Sequence, residues 1–226
     1  MSGQNDTLAP GKRPKWESDP IIAVASAVTV STIASAGSLA NPNSAGRYPI
    51  GRKFSVDDEA TFDTINLQRD VVLRRGALRV TSVDEESDRV LFNDGRWISD
   101  TLGNFIKEGA IQFDLPVQFV PSELYVGKKW RASYLKVGEG GVSQGDWDLA
   151  ITVREKIAVP AGEFFAFRVD GTGFNKTSYT QLKSRYWLVP GLNFTVRYEI
   201  TRRGPRLNDS EAYVLVSFKQ IHSSGA

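Results

Sequence analysis

The chain has 226 residues, enough for one large domain with a substantial buried core. Hydrophobic residues make up 41% and charged residues 24% of the sequence, so an ordinary folded interior is expected and wholesale disorder is excluded. The net charge is only +2, from 28 basic and 26 acidic residues. Nucleic acid is not expected as a partner, because phosphate binding needs a clustered basic surface.

The lack of cysteine and the single histidine exclude several kinds of chemistry. Without cysteine there are no disulfides, thiolate nucleophiles, Cys-based zinc sites or lipid-modified cysteines. The histidine, His222, lies close to the end of the chain, where termini usually fray, so a catalytic role is not expected. We therefore predict no catalytic residue, no metal site and no cofactor.

The N-terminal 45 residues differ in composition from the rest. Residues 1–20 are polar and rich in Gly, Pro and charge, which predicts a flexible tail. Residues 21–45 are uncharged and rich in small and apolar side chains. They fit a secretory signal, with Lys12, Arg13 and Lys15 before it and Ala34-Ser35-Ala36 as a cleavage pattern. A weak membrane anchor or a linker are the alternatives, and a membrane contact is expected only through this segment, if at all.

The rest of the chain carries landmarks that recur in the same order. Ile50-Gly51-Arg52-Lys53-Phe54 and Val126-Gly127-Lys128-Lys129-Trp130 share an aliphatic residue, a glycine, two bases and an aromatic residue. Further on, Arg96-Trp97-Ile98 corresponds to Arg185-Tyr186-Trp187-Leu188, and a turn follows each run. This recurrence predicts a domain over 46–226 made of two similar halves, 46–120 and 121–226.

Within both halves the local signals are strands and tight turns. Asn93-Asp94-Gly95 is a strong hairpin signal, and Val159-Pro160-Ala161-Gly162 joins two strand-like runs. Apolar residues alternate with polar ones over 147–154 and 194–201, as in half-buried strands. The predicted fold class is all-β: antiparallel sheets from two similar halves, forming a sandwich or a curved half-barrel, with an extended or short helical N-terminal segment.

Aromatic side chains supply the candidate binding residues Phe164, Tyr186 and Trp187. Because neighbouring residues of a strand face opposite ways, Phe164 and one of Tyr186 and Trp187 could line a cleft for a hydrophobic or sugar ligand. Burial under a second sheet is the alternative interpretation. Carboxylates could also perform glycoside hydrolysis, which needs neither Cys nor His. No spacing singles out two of the candidates, which are Asp114, Glu123, Asp146, Asp148, Glu163 and Glu199.

Three of these motifs together resemble a known family. Val126-Gly127-Lys128-Lys129-Trp130, Val159–Phe164 and Tyr186–Gly191 resemble the pattern of uncharacterised bacterial exported β-rich domains. Phe92–Asn104 is similar to the non-catalytic C-terminal β domain of some bacterial caspase-like peptidases. The resemblance covers residues 48–220 and includes no catalytic residue. It implies an exported or envelope-associated accessory domain.

The functional expectation follows from the resemblance and from the missing residue types. We expect a non-enzymatic exported or envelope accessory domain, periplasmic or secreted, that binds a protein partner or a ligand. One alternative is a periplasmic carrier of lipids or other hydrophobic ligands. The other is a carboxylate-based carbohydrate hydrolase. The expected partner is accordingly a protein, or a hydrophobic or carbohydrate ligand.

Overall fold

A computed structural model describes residues 46–221, so the predicted tail, the 21–45 segment and His222 lie outside the described residues. Every regular element of the described part is a β-strand, which confirms the all-β class. The strands are β1 (Tyr48–Pro49), β2 (Glu59–Asn66), β3 (Val71–Asp84), β4 (Arg89–Phe92), β5 (Trp97–Ser99), β6 (Phe105–Glu108), β7 (Ile111–Phe113), β8 (Glu123–Leu124), β9 (Lys129–Gly138), β10 (Gly141–Val159), β11 (Gly162–Asn175), β12 (Thr180–Leu188), β13 (Arg197–Arg203) and β14 (Asn208–Lys219).

All strands except β1 and β8 close into one antiparallel barrel. Strands β2 to β7 follow one another around the wall, and β9 to β14 complete it. The seam pairs β14 with β2, where Lys219 lies opposite Glu59. The sheet is closed, whereas the sequence predicted a sandwich or a half-barrel. Closure depends on pairing the first and last barrel strands, and no local sequence pattern encodes that pairing. Strands β1 and β8 form a separate small sheet, with Tyr48 opposite Leu124.

The two predicted hairpins are confirmed. Asn93, Asp94 and Gly95 all have positive φ, at 50°, 57° and 76°, and they connect β4 to β5. Asn, Asp and Gly tolerate this left-handed region better than other residues, so the sequence specifies the turn. The second hairpin joins β10 to β11, and Gly162 begins β11 with φ 132°.

The barrel has two different ends. One, here called the packed end, receives the segments 46–58 and 114–128; from these segments Ile50, Val120 and Leu124 are buried in the core. Because consecutive strands alternate in direction, the opposite end carries the turns that follow β2, β4, β6, β9, β11 and β13. We call it the far end.

Two apolar cores cover the two faces of β11. On β11, Phe167 and Val169 are fully buried in the first core, while Ala166 is fully buried in the second. Such a strand needs cover on two faces, as its apolar residues at alternating positions predict. The second core also contains Phe92 and Phe194.

Two buried asparagines hold the segments at the packed end. Asn193 is 1% exposed; its Oδ1 accepts from Lys53 N at 2.8 Å and its Nδ2 donates to Lys53 O at 2.7 Å. Asn104, also 1% exposed, bonds both backbone groups of Val120 in the same way, at 2.7 and 3.1 Å. Asn104 lies in the β5–β6 turn and binds the 114–128 segment, which leads into β9. Asn193 lies in the β12–β13 turn and binds the 46–58 segment, which leads into β2.

The backbone hydrogen bonds of Gly127 resemble those of Asp57 and differ from those of Gly51, the residue that the sequence pattern aligned with it. Gly127 N donates to Ile151 O at 2.8 Å, and Ile151 N donates to Lys128 O at 2.9 Å. The same exchange links Asp57 and Asp58 to Val80, at 2.9 and 2.8 Å. Gly51 lies earlier, on the segment that packs beside Gly191. Gly51 and Gly127 therefore differ in their hydrogen-bond partners, and the two-half organisation stays a prediction.

Candidate functional site

The three aromatic residues chosen from the sequence do not form a common cleft. Trp187 is 7% exposed in the second core, and its Nε1 donates to Glu155 Oε1 at 2.9 Å. Phe164 packs against the same core, with its ring centroid 6.2 Å from that of Phe218. Tyr186 faces the opposite side, in the first core, where its hydroxyl donates to Phe119 O at 2.6 Å. The core interpretation therefore fits Phe164 and Trp187 better than a ligand cleft does.

Tyr186 begins a row of tyrosines that leads along the barrel interior. In register, Tyr198 on β13 lies between Tyr186 on β12 and Tyr213 on β14. The ring centroids are 5.9 Å apart for Tyr186 and Tyr198, and 6.0 Å apart for Tyr198 and Tyr213. Since cross-strand partners project from the same face of a sheet, all three rings point into the barrel.

Polar side chains share this inner face near the far end. Alternation along β13 places Ile200 and Arg202 on the same side as Tyr198, and alternation along β9 places Lys136 with Tyr134. We call the following set the polar lumen: Glu108, Tyr134, Lys136, Ser184, Tyr198, Arg202 and Tyr213. It is drawn from five different strands, β6, β9, β12, β13 and β14.

Among the charged side chains of the polar lumen, Arg202 is the one that forms ion pairs within residues 46–221. Its Nη1 donates to Asp209 Oδ1 at 3.1 Å and to Glu211 Oε2 at 3.2 Å, both on the neighbouring strand β14. Burial alone lowers the pKa of Arg202, but the two carboxylates outweigh it and the pKa is raised. The guanidinium is therefore a fixed positive charge on one wall of the lumen.

Glu108 lies on the opposite wall, since β6 and β13 are separated by five strands in either direction around the barrel. Burial raises the pKa of Glu108, and the charges of Lys136 and Arg202 offset this only in part. Burial likewise lowers the pKa of Lys136. Within residues 46–221 neither side chain forms an ion pair. Partly buried, unpaired charges cost stability, and such groups concentrate at functional sites.

The remaining members supply neutral hydrogen-bonding groups. Burial raises the pKa of Tyr134, Tyr198 and Tyr213, so their hydroxyls stay protonated at neutral pH. Ser184 is 7% exposed, and its Oγ has no hydrogen-bond partner in the described part of the chain. It lies opposite Ile200 in register, on the inner face. A buried hydroxyl of this kind is expected to bind water or a ligand.

The polar lumen combines aromatic rings with hydrogen-bonding groups. It offers ring faces, hydroxyls, one carboxylate without an ion pair, one ammonium group and the guanidinium of Arg202, which suit a polar ligand with an apolar face. Glycoside hydrolysis needs a second free carboxylate facing the first. The other carboxylates near the lumen, Asp209 and Glu211, are held by Arg202.

The carboxylates singled out from the sequence are all engaged elsewhere. Five form ion pairs with a nearby base, and these are Glu123, Asp146, Asp148, Glu163 and Glu199. Asp114 instead accepts from the backbone N–H groups of Leu115 and Leu135, at 2.9 and 3.3 Å. The hydrolase alternative gains no support from this arrangement.

A groove of about 430 Å³ crosses β9, β10 and β11 on the outer surface, beside Trp130. Its two carboxylates are occupied. Arg131 binds Asp148 at 3.0 Å, while Arg168 and Arg185 bind Asp170 at 3.2 and 3.4 Å. The groove is therefore a depression in an ion-paired sheet surface.

Residues 46–221 contain neither a cluster of metal-ligating side chains nor a helix that could span a membrane. No group of three or more His, Cys, Asp or Glu side chains is placed to hold a metal ion. No helix in this range has the length and apolar character needed to cross a membrane.

Most of the polar lumen was missed by sequence reasoning. Glu108, Lys136 and Arg202 lie on strands far apart in sequence, and each looks like an ordinary charged surface residue. The usable signal was alternation: Tyr198, Ile200 and Arg202 share one face of β13, so the arginine follows two residues that belong inside.

Two solved structures are similar to this chain. One, from Bacteroides fragilis, is named as an exported protein with a YmcC-like fold; it is 13% identical, with a TM-score of 0.49, and the match covers 76% of this chain and 100% of that one. The other, from Parabacteroides distasonis, is named as a lipoprotein; it is 11% identical, with a TM-score of 0.48, and the match covers 76% and 99%. No protein-family model and no curated protein matches the sequence. Likenesses this distant carry no argument about function.

Proposed function

We propose that this chain is a non-enzymatic, exported binding domain of the bacterial envelope, and that its ligand is a carbohydrate segment bound in the polar lumen. The observation that carries the ligand site is that Glu108 and Lys136 are both half-buried and that neither forms an ion pair within residues 46–221. The Lys136 ammonium lies 5.8 Å from the centroid of the Tyr134 ring. Ser184 Oγ, buried without a partner, supports the same site. Tyrosine rings beside such groups suit a sugar, whose rings have apolar faces and whose edges carry hydroxyls.

Export rests on the sequence. Basic residues at 12–15, the apolar run from Ile21 and the Ala34-Ser35-Ala36 pattern together match a secretory signal. The resemblance to exported β-rich domains supports the same location. A hydrophobic-ligand carrier is less well supported, because Phe164 and Trp187 belong to a packed core.

The ligand site is tested by titrating the full chain with soluble hexasaccharides, one neutral and one uronic, and following tyrosine fluorescence. Glu108→Gln and Lys136→Met should each weaken binding by about tenfold, the usual effect of losing one charged hydrogen-bonding group. Glu139→Gln and Tyr179→Ala, both at exposed far-end turns outside the lumen, should bind as the parent does. Binding that survives both lumen variants, or binding of palmitate with no hexasaccharide binding, would refute a carbohydrate site in the lumen.

Export is tested separately by mass spectrometry of the chain recovered from cell fractions of a Gram-negative host. The expected product is in the envelope or periplasmic fraction and begins shortly after Ala36. A full-length chain confined to the cytoplasm would contradict export without affecting the ligand site.

A further inference from the structure

The first part of β3 is an uncovered edge of the barrel wall. Residues 71–79 pair with β2 on one side, whereas β4 pairs only from Val80 onward. Asn93 covers part of this edge: its Nδ2 donates to Ala77 O at 2.8 Å, and its backbone N donates to Arg79 O at 2.9 Å. Within the described residues, no strand pairs with 71–76 on that side.

Backbone hydrogen-bonding groups are available along this edge. In an antiparallel strand, the N–H and C=O groups of alternate residues point to the same side. Arg75 therefore presents both of its backbone groups beside those of Ala77 and Arg79, which bond Asn93. The register with β2 shifts between Arg74 and Val72, so an added strand would have to follow a bulge there. An extended chain that does so would find along 71–76 the kind of partners that β4 finds further along β3.

The edge is also apolar and exposed. Val71, Val72 and Leu73 are 45%, 58% and 52% exposed, three consecutive large hydrophobic residues on both faces of the strand. An added Cβ on Gly76 would meet no atom within 4 Å, so the face of the strand is also open at this position. Proteins usually shield such edges with charges, bulges or covering loops. Here Arg74, Arg75 and a bulge between Val72 and Arg74 lie on the edge, yet three large apolar side chains stay exposed, which is typical of a binding surface.

Positive charge surrounds the apolar residues. Arg75 is paired with Asp63 at 2.7 Å, but in residues 46–221 no ion pair engages Arg69 or Arg74. The turn after β13, which is the next one around the wall, adds Arg203 and Arg206, again without ion pairs in that range. Asp70 is the one acidic side chain in the β2–β3 turn.

We infer that residues 71–76 are a docking edge for an extended, acidic peptide segment of a partner protein, which adds to the sheet beside β3. Charge complementarity favours acidic side chains at this edge. A second copy of the chain fits poorly, because antiparallel self-pairing would place the arginines of one copy beside those of the other. A lipid surface would leave the backbone groups unpaired. This surface is separate from the proposed ligand site.

The probe is an acetylated hexapeptide of alternating Val and Glu. Every second amide is N-methylated, so only one edge of the extended peptide can form backbone hydrogen bonds and the peptide does not self-assemble. Amide hydrogen exchange of the full chain is followed by mass spectrometry. The probe should slow exchange at 71–76. A peptide with Lys in place of Glu, and one N-methylated on the bonding edge, should not.

Matched variants locate the contact. Val72 and Val142 are 58% and 57% exposed, both at the far end. Val72→Asp should weaken binding of the Glu probe by about tenfold, because it sets like charges side by side. Val142→Asp should leave binding unchanged. This control shows whether a negative charge anywhere at the far end is enough to weaken binding of the Glu probe.

Several results would overturn the inference. Equal binding of the Lys peptide would show that charge complementarity does not drive binding. Equal loss of probe binding in Val72→Asp and Val142→Asp would show that the probe does not bind specifically at 71–76. Slowed exchange at 71–76 caused by phosphatidylglycerol vesicles, with no effect of the probe, would identify a membrane contact. Protection that disappears on dilution of the free protein would indicate self-association. Protection that persists on dilution would indicate cover by the chain itself.

Discussion

At the residue scale, Glu108 shows the cost of the polar lumen. Its pKa is raised from the usual 4.5 because burial disfavours the charged carboxylate. A carboxyl group whose pKa is higher in the folded state destabilises folding when ionised. This cost is absent below the unfolded pKa and develops as pH rises through the folded one.

We therefore expect Glu108→Gln to raise the free energy of unfolding at pH 7 by about 1 kcal/mol, reduced from a fully buried value because the side chain is partly exposed. The gain should vanish near pH 4. Urea denaturation at several pH values measures it, with Glu139→Gln at an exposed turn as the control. Stabilisation independent of pH would show that electrostatics is not the cause. A variant that is more stable yet binds less well is expected of a site kept for function.

At the element scale, two strand glycines make opposite predictions. A Cβ on Gly173 of β11 would lie 2.6 Å from Asp146 O and 2.7 Å from the Trp147 ring. Gly76 of β3 has open space at the same position. Neither has the positive φ that favours glycine, so packing alone decides the outcome.

Gly173→Ala should destabilise the protein by about 2–3 kcal/mol, since overpacking forces a backbone or ring shift. Gly76→Ala should be neutral or stabilising by up to about 1 kcal/mol, because alanine restricts the unfolded chain. Thermal unfolding of the two variants against the parent checks both. Comparable losses would mean that flexibility at Gly76 matters more than space.

The elements were largely readable from the sequence, whereas their assembly was not. The Asn93-Asp94-Gly95 turn and the alternation over 147–154 specified strands through local chemistry. Trp187 could not be assigned from sequence alone. Its neighbours allow either face, and what buries it is a second core formed by distant strands. The lumen likewise depends on which strands stand opposite one another, which only barrel closure decides.

At the scale of the whole molecule, Arg52 links two turns that are far apart in the sequence. Its Nη1 donates to Leu102 O at 2.9 Å and its Nε donates to Leu192 O at 3.2 Å. These carbonyls belong to the turns after β5 and after β12. One planar guanidinium thus bonds both turns at once, beside the hydrogen bonds of Asn104 and Asn193.

Arg52→Lys should lower the free energy of unfolding by about 1–3 kcal/mol, because a single ammonium group cannot satisfy both carbonyls. Lys53→Arg is the matched control, since Lys53 is exposed and uses only its backbone groups. Urea denaturation of both variants provides the measurement. An unchanged Arg52→Lys would show that water can replace the guanidinium at these turns.

The seam between β2 and β14 has a consequence for biogenesis. A chain delivered N-terminus first to the compartment where it folds holds β2 before its seam partner arrives, and Lys219 must arrive before Glu59 finds its neighbour. Pairing between such distant segments is slow to form. During that interval the unfinished chain exposes apolar rings and an open strand, which is the form that a chaperone recognises. Arrival of the last strand is therefore the step that closes the barrel.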